Sequence, residues 1–130
     1  MKNLVVLCIL LMFSVWNAHS RLPQQRDIAK TLNDGNIENV SKYFDNVVDV
    51  ALGAGQTSYS KHQAEMVLRN FFEKNKVQSF SIKYRGDSPA DNSFYLIGQL
   101  KTVSNEQYKV FLFFKEKNKV HYLQEIKIEQ

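Results

Sequence analysis

The sequence predicts an α+β fold, with helices covering one face of a curved antiparallel sheet in the order α-α-β-β-α-β-β-β-β. Three observations predict it. Ser60 to Asn75 carries one apolar stripe of helical period: Ala64, Val67, Leu68, Phe71 and Phe72. Everything after Asn75 alternates apolar and polar residues, as half-buried strands do. The links between those later segments are short, which leaves only antiparallel pairing.

The first twenty residues stand apart. Met1-Lys2 is a positive start, Leu4 to Trp16 is almost wholly apolar, and Ala18-His19-Ser20 offers small residues at a cleavage site. That is the pattern of a secretory signal peptide, with cleavage expected after Ser20. The rival, an uncleaved anchor, needs about 20 apolar residues, and this run is shorter. The expected products are a signal peptide, 1–20, and a single domain, 21–130, exported to the periplasm or beyond and with no stable membrane anchor. The only cysteine, Cys8, lies inside the apolar run. The exported part therefore makes no disulfide, and its core must hold it together. It carries 16 basic and 13 acidic residues, a balance of +3. The lysines are scattered, which describes a solvated surface and argues against nucleic acid as a partner.

Leu22-Pro23 opens the domain, and Ile28, Ala29 and Leu32 give a first helix its buried side. Asn33-Asp34-Gly35 stops it, with Gly35 free to turn left-handed. Asn36 caps a second short helix with Ile37, Val40 and Phe44 inside. Val47 to Leu52 is rich in β-branched residues and reads as a strand. Gly53 to Gln56 turns, and Thr57-Ser58-Tyr59 returns to the main helix. There Ser60 and Gln63 form a capping box, and Glu65, Arg69 and Glu73 step by four along the polar side.

Four strands follow. Val77 to Arg85 sets Phe80, Ile82 and Tyr84 against Ser79, Ser81, Lys83 and Arg85. Gly86 to Asn92 is a dense turn cluster. Ser93 to Thr102 puts Phe94, Leu96, Gly98 and Leu100 on one face. Gln107 to Lys117 puts Tyr108, Val110, Leu112 and Phe114 on one face and Phe111 and Phe113 on the other. Val120 to Glu129 sets Val120, Tyr122, Ile126 and Ile128 against His121, Leu123, Glu125, Lys127 and Glu129.

This order resembles the nuclear transport factor two-like superfamily, the cone-shaped, cystatin-like or SnoaL-like α+β fold, over Gln24 to Glu129. The local echoes are Leu32-Asn33-Asp34-Gly35-Asn36-Ile37 and the strand pair that feeds the long helix. Tyr43-Phe44-Asp45-Asn46, Tyr59-Ser60-Lys61, Gln63-Ala64-Glu65-Met66 and Phe71-Phe72 look like a secreted bacterial family of unknown function within it. The superfamily contains isomerases, dehydratases, carrier-like pockets and interaction modules, so the fold alone does not decide the function.

In the cone enzymes that isomerise steroids, a carboxylate late in the first strand is the base and a tyrosine on the first helix holds the oxyanion. On this chain those positions fall near Leu52 and Ile28, and neither can do acid-base work. Asp49 alternates with Val48 and Val50 and reads as facing outward. His62 and His121 have no converging ligands beside them, and metal sites need three or four, so no metal and no cofactor are expected. Tyr84, Tyr108 and Tyr122 sit on strand faces read as inward. They are either core residues with a hydroxyl at the edge, or, together with Leu52, the lining of a pocket for a small apolar ligand in which the hydroxyls are the polar points.

On the opposite sheet face, Ile97, Phe111, Phe113 and Leu123, with Tyr95, Lys109, Lys115 and Lys127 around them, form an apolar patch with a basic rim. The resemblance implies a homodimer through this face, because superfamily members pair that way. The sequence thus reads as a non-enzymatic binding or interaction module. The alternative is an isomerase- or dehydratase-like enzyme.

Overall fold

The computed structural model describes residues 22–130; the expected signal peptide and its cleavage site lie outside them. Helix α1 (Leu22–Asn33) ends at Gly35, whose φ of +66° lets the chain reverse. The amide of Gly35 donates to Leu32 and that of Asn36 to Thr31, which closes the helix end. A single-turn α2 (Ile37–Val40) follows, capped by the Asn36 side chain, and a 3-10 turn (Ser41–Tyr43) leads into β1 (Phe44–Leu52). Strand β2 (Gln56–Ser60) returns to α3 (Lys61–Lys74). The capping box is present, with Ser60 accepting from the Gln63 amide and the Gln63 side chain accepting from Ser60. Glu65 and Arg69 pair at 3.1 Å.

The last four strands are β3 (Val77–Ser88), β4 (Ser93–Thr102), β5 (Gln107–Lys117) and β6 (Val120–Glu129). They form an antiparallel meander. Asn118 and Lys119, both at positive φ, make the tight β5–β6 turn. The sheet order is β2-β1-β6-β5-β4-β3. One pair departs from the expected antiparallel sheet: β1 runs parallel to β6. Helix α3 and the meander separate these two strands in sequence, so no turn dictates their sense, and the sheet is mixed.

The helices close one side of the sheet. Ile28, Leu32, Val40, Ala64 and Leu68 meet Phe44, Val48, Leu96, Leu112, Phe114 and Ile126 in one core, each 1% exposed or less. Asn33 ties α1 to the sheet by accepting from the Phe80 amide at 2.9 Å. Gly98 lies under the Phe80 ring; a Cβ there would stand 2.4 Å from it. Among the described residues no helix is long and apolar enough to cross a membrane.

Strands β3 and β6 do not alternate throughout. Ile82 pairs with Gly98 and Tyr84 with Ile97, so Lys83 is an extra residue. Phe113 pairs with Glu125 and Phe114 with Leu123, so Gln124 is another. Each bulge passes the following side chains to the other face.

Candidate functional site

The side of the sheet away from the helices carries an aromatic stripe. Strand β4 supplies Tyr95 and Ile97 and β5 supplies Phe111 and Phe113, paired as Tyr95 with Phe113 and Ile97 with Phe111. The Tyr95 and Phe111 rings stack at 5.6 Å. Tyr84, 56% exposed, extends the stripe from β3, with its ring 5.9 Å from that of Tyr95. Lys127 of β6 ends it, with its ammonium 5.6 Å from the Phe111 ring centre and 3.0 Å from Glu125. Gly86 makes room for the Tyr95 ring, which a Cβ would meet at 2.3 Å. Tyr95, Ile97, Lys109, Phe111, Lys127 and Glu129 line a groove of about 380 Å³. The hydrogen bond to Tyr84, then burial, raises the pKa of Tyr95; the hydrogen bond and charge of Glu125 raise that of Lys127.

The expected outer-face residues Ile97, Phe111 and Phe113 thus lie together. Leu123 does not join them. The bulge at Gln124 turns it into the core, fully buried opposite Phe114. The same bulge sets Tyr122 opposite Lys115 on the outer side rather than the inner. The bulge at Lys83 moves Tyr84 outward in the same way. Of the three tyrosines read as inward, Tyr108 alone is on the helix side. Its ring lies edge-on to Phe71 at 5.6 Å, and its hydroxyl bonds Glu106 at 2.6 Å and Asn75 at 3.3 Å. The bond to Glu106, then burial, raises its pKa. Leu52 is half-buried at the β1–β2 end, beside a groove of about 280 Å³ with Val50, Thr57, Tyr59 and Val67. Tyr84, Tyr108, Tyr122 and Leu52 therefore do not converge on one pocket.

Two residues read as outward are turned toward the helices instead. Past the Lys83 bulge, Arg85 pairs with buried Leu96, and its guanidinium sits 4.0 Å over the Phe94 ring. It donates to Gln25 of α1 at 3.2 Å and to Asp87 at 3.0 Å. His121 alternates with buried Leu123, and its ring centre is 5.2 Å from that of Phe94. The Gln24 side chain donates to the His121 carbonyl at 3.2 Å. The odd spacing of Leu123 and Ile126, and a glycine at position 86 inside a strand, are the only sequence traces of these slips.

Asp45, also unforeseen, is 7% exposed at the start of β1. Lys117 reaches it at 2.8 Å and the Gln124 amide at 3.0 Å. Burial pushes its pKa up, but the hydrogen bonds from Lys117, the Asn46 amide and Gln124 outweigh this and hold it below the ordinary carboxylate value. Among the described residues no three His, Cys, Asp or Glu side chains are grouped as a metal site would require.

Comparison with known proteins gives the family but no activity. No curated protein matches the chain. A solved structure from Bacteroides uniformis, described as a DUF4783 family protein, is 28% identical with a TM-score of 0.75, covering 81% of this chain and 94% of its own. A second, from Bacteroides ovatus, is 25% identical with a TM-score of 0.74, covering 80% and 92%. An NTF2-like protein of unknown function from Cytophaga hutchinsonii is 10% identical with a TM-score of 0.55, covering 78% and 81%, and is similar in fold alone. The cone fold is thus that of NTF2-like proteins. Residues 25–129 match the family described as "Domain of unknown function (DUF4783)", and the chain belongs to that family.

Proposed function

We propose that this protein is an exported, non-enzymatic interaction module that pairs with a second copy of itself through the outer face of its sheet. The observation that carries this is the stripe from Tyr84 through Tyr95 to Phe111, flanked by Ile97 and Phe113, on a face that contributes nothing to the common core. Apolar patches of this kind on otherwise polar proteins mark contact sites. A second copy fits because the rim carries both signs: Lys109 and Lys127 stand beside Glu125 and Glu129. A twofold axis brings a patch onto itself, so the lysines of one copy can meet the glutamates of the other.

Export rests on the apolar run Leu4 to Trp16 and the small residues before Arg21. The non-enzymatic reading rests on β1, whose inner side is Val48, Val50 and Leu52 and carries no proton donor or acceptor. The groove beside Leu52, at about 280 Å³, falls just below the roughly 300 Å³ at which small-molecule pockets begin, and self-association does not use it.

The test is native mass spectrometry, with sedimentation equilibrium, on protein recovered from an exporting host. A dimer is expected, and Phe111→Lys and Phe113→Lys should each give folded monomer. A wild-type monomer at every concentration, or a dimer indifferent to both substitutions, removes the outer-face reading.

A further inference from the structure

The inner end of the sheet near the first turn of α1 holds a second group of polar residues, independent of the outer stripe. We propose that this end, where Arg85 and His121 each lie against the Phe94 ring and Gln25 bonds Arg85, binds a small organic carboxylate.

Two separate bulges deliver its residues. The slip at Lys83 turns Arg85 inward, and the slip at Gln124 leaves His121 on the same side. Both reach the same ring, Phe94, at 4.0 and 5.2 Å. Bulges commonly re-aim side chains at functional positions. A strand that obeyed simple alternation would send both residues to solvent.

The guanidinium is held but not used up. One N–H of Nη1 goes to Gln25, and Nε and one N–H of Nη2 go to Asp87. An arginine has five N–H donors, so one remains on each terminal nitrogen. Two donors on one planar fork match the two oxygens of a carboxylate. The imidazole of His121 is half-exposed, and its nitrogens have no partner among the described residues. It offers a further hydrogen-bonding group on the same side of the sheet. Gln25 keeps its amide N–H groups, since only its oxygen is engaged.

Acidic groups share this end. Asp87 bonds Arg85, and Glu116 faces His121 across the β5–β6 pair. The site therefore does not gather anions by net charge. It selects by directed hydrogen bonds, which favours a flat carboxylate over a tetrahedral anion. Phe94 is 5% exposed and stacked on Phe114 at 4.8 Å, so the ring fixes the guanidinium and does not itself form a ligand cavity.

The test is a titration of the whole protein with benzoate, read by NMR at the Arg85 Nε–H and the His121 ring. Saturable shifts at both groups are expected, with benzyl alcohol and inorganic phosphate at least about tenfold weaker. Arg85→Gln should abolish saturation, and His121→Gln should weaken it several-fold with the fold intact. Should Arg85→Gln fail to fold, His121→Gln and the benzyl alcohol comparison still decide. Linear shifts, shifts confined to the outer face, or indifference to His121→Gln would overturn the site and leave Arg85 as a brace between α1 and β3. Phosphate binding as tightly as benzoate would overturn the carboxylate assignment.

Discussion

Strands β4 and β5 alternate without interruption from end to end, whereas their neighbours on either side slip: β6 by one residue at Gln124, and β3 by one residue at Gln78 and again at Lys83. In the regular centre the two faces stay separate. Leu96, Leu112 and Phe114 go to the core, and Tyr95, Ile97, Phe111 and Phe113 stay outside it. In the flanks the faces exchange residues. The outer face gains Tyr84, and the inner side gains Leu123, Arg85 and His121. The centre thus builds the apolar stripe, and the flanks give the opposite face its polar group. A bulge costs a ladder position but re-aims everything beyond it, so two inserted residues place an arginine and a histidine by one ring.

The largest expected contrast lies between adjacent residues of β5. Phe114 is fully buried and stacked on Phe94. Phe114→Ala should cost about 3–5 kcal/mol in urea unfolding, as large aromatic truncations in cores do. Phe113, half-buried on the outer face, should cost the isolated protomer about 1 kcal/mol or less on truncation, since surface changes usually fall within that range. Its effect should appear instead in the monomer–dimer equilibrium. Equal losses at the two positions would mean that the outer face is as closed as the core.

That contrast was readable in the sequence because it rests on local period alone. Phe111 and Phe113 against Leu112 and Phe114 need only the two-residue repeat of a strand. The capping box at Ser60 and the stop at Gly35 were readable for the same reason: a few neighbouring residues determine them. The slips were not. An extra residue at Lys83 or Gln124 is set by how the whole strand fits its neighbour, and the local alternation through Ile82 and Tyr84 looks unbroken. Every assignment beyond a slip was therefore inverted, which misplaced Tyr84, Tyr122, Leu123, Arg85 and His121 together. The parallel β1–β6 pair was equally hidden, because it joins residues near opposite ends of the domain with no turn between them.

The next largest effect separates two glycines that seat rings on opposite faces. A Cβ at Gly98 would stand 2.4 Å from the Phe80 ring and 2.9 Å from the Ser81 carbonyl oxygen, and the backbone oxygen cannot swing aside. Gly98→Ala should lose about 1–3 kcal/mol, the usual cost of overpacking. At Gly86 the nearest atoms all belong to the Tyr95 side chain on the outer face. Gly86→Ala should displace that ring with little loss in thermal unfolding, yet weaken any dimer through the stripe. A Gly86 variant as unstable as the Gly98 one would show that the outer rings are as tightly fixed as the inner ones.

The smallest effect bears on what keeps a slip in place. Gln124, the inserted residue of β6, donates to Asp45, and Lys117 holds the same carboxylate from the end of β5. Asp45→Asn should cost about 1 kcal/mol at neutral pH. That is below the usual worth of hydrogen bonds to a charged group, because Lys117 is half-exposed and its charge is screened. The sign of the pH dependence follows from the lowered folded pKa. The unfolded chain takes up the proton first as pH falls, so the stabilisation is complete above the ordinary value of 3.8 and is lost on passing through the folded value below it. Wild type and Asp45→Asn should therefore differ at pH 7 and converge in acid. If the gap persists unchanged at low pH, it is packing around Asp45, rather than its charge, that holds the Gln124 slip and with it the inward turn of Leu123 and His121.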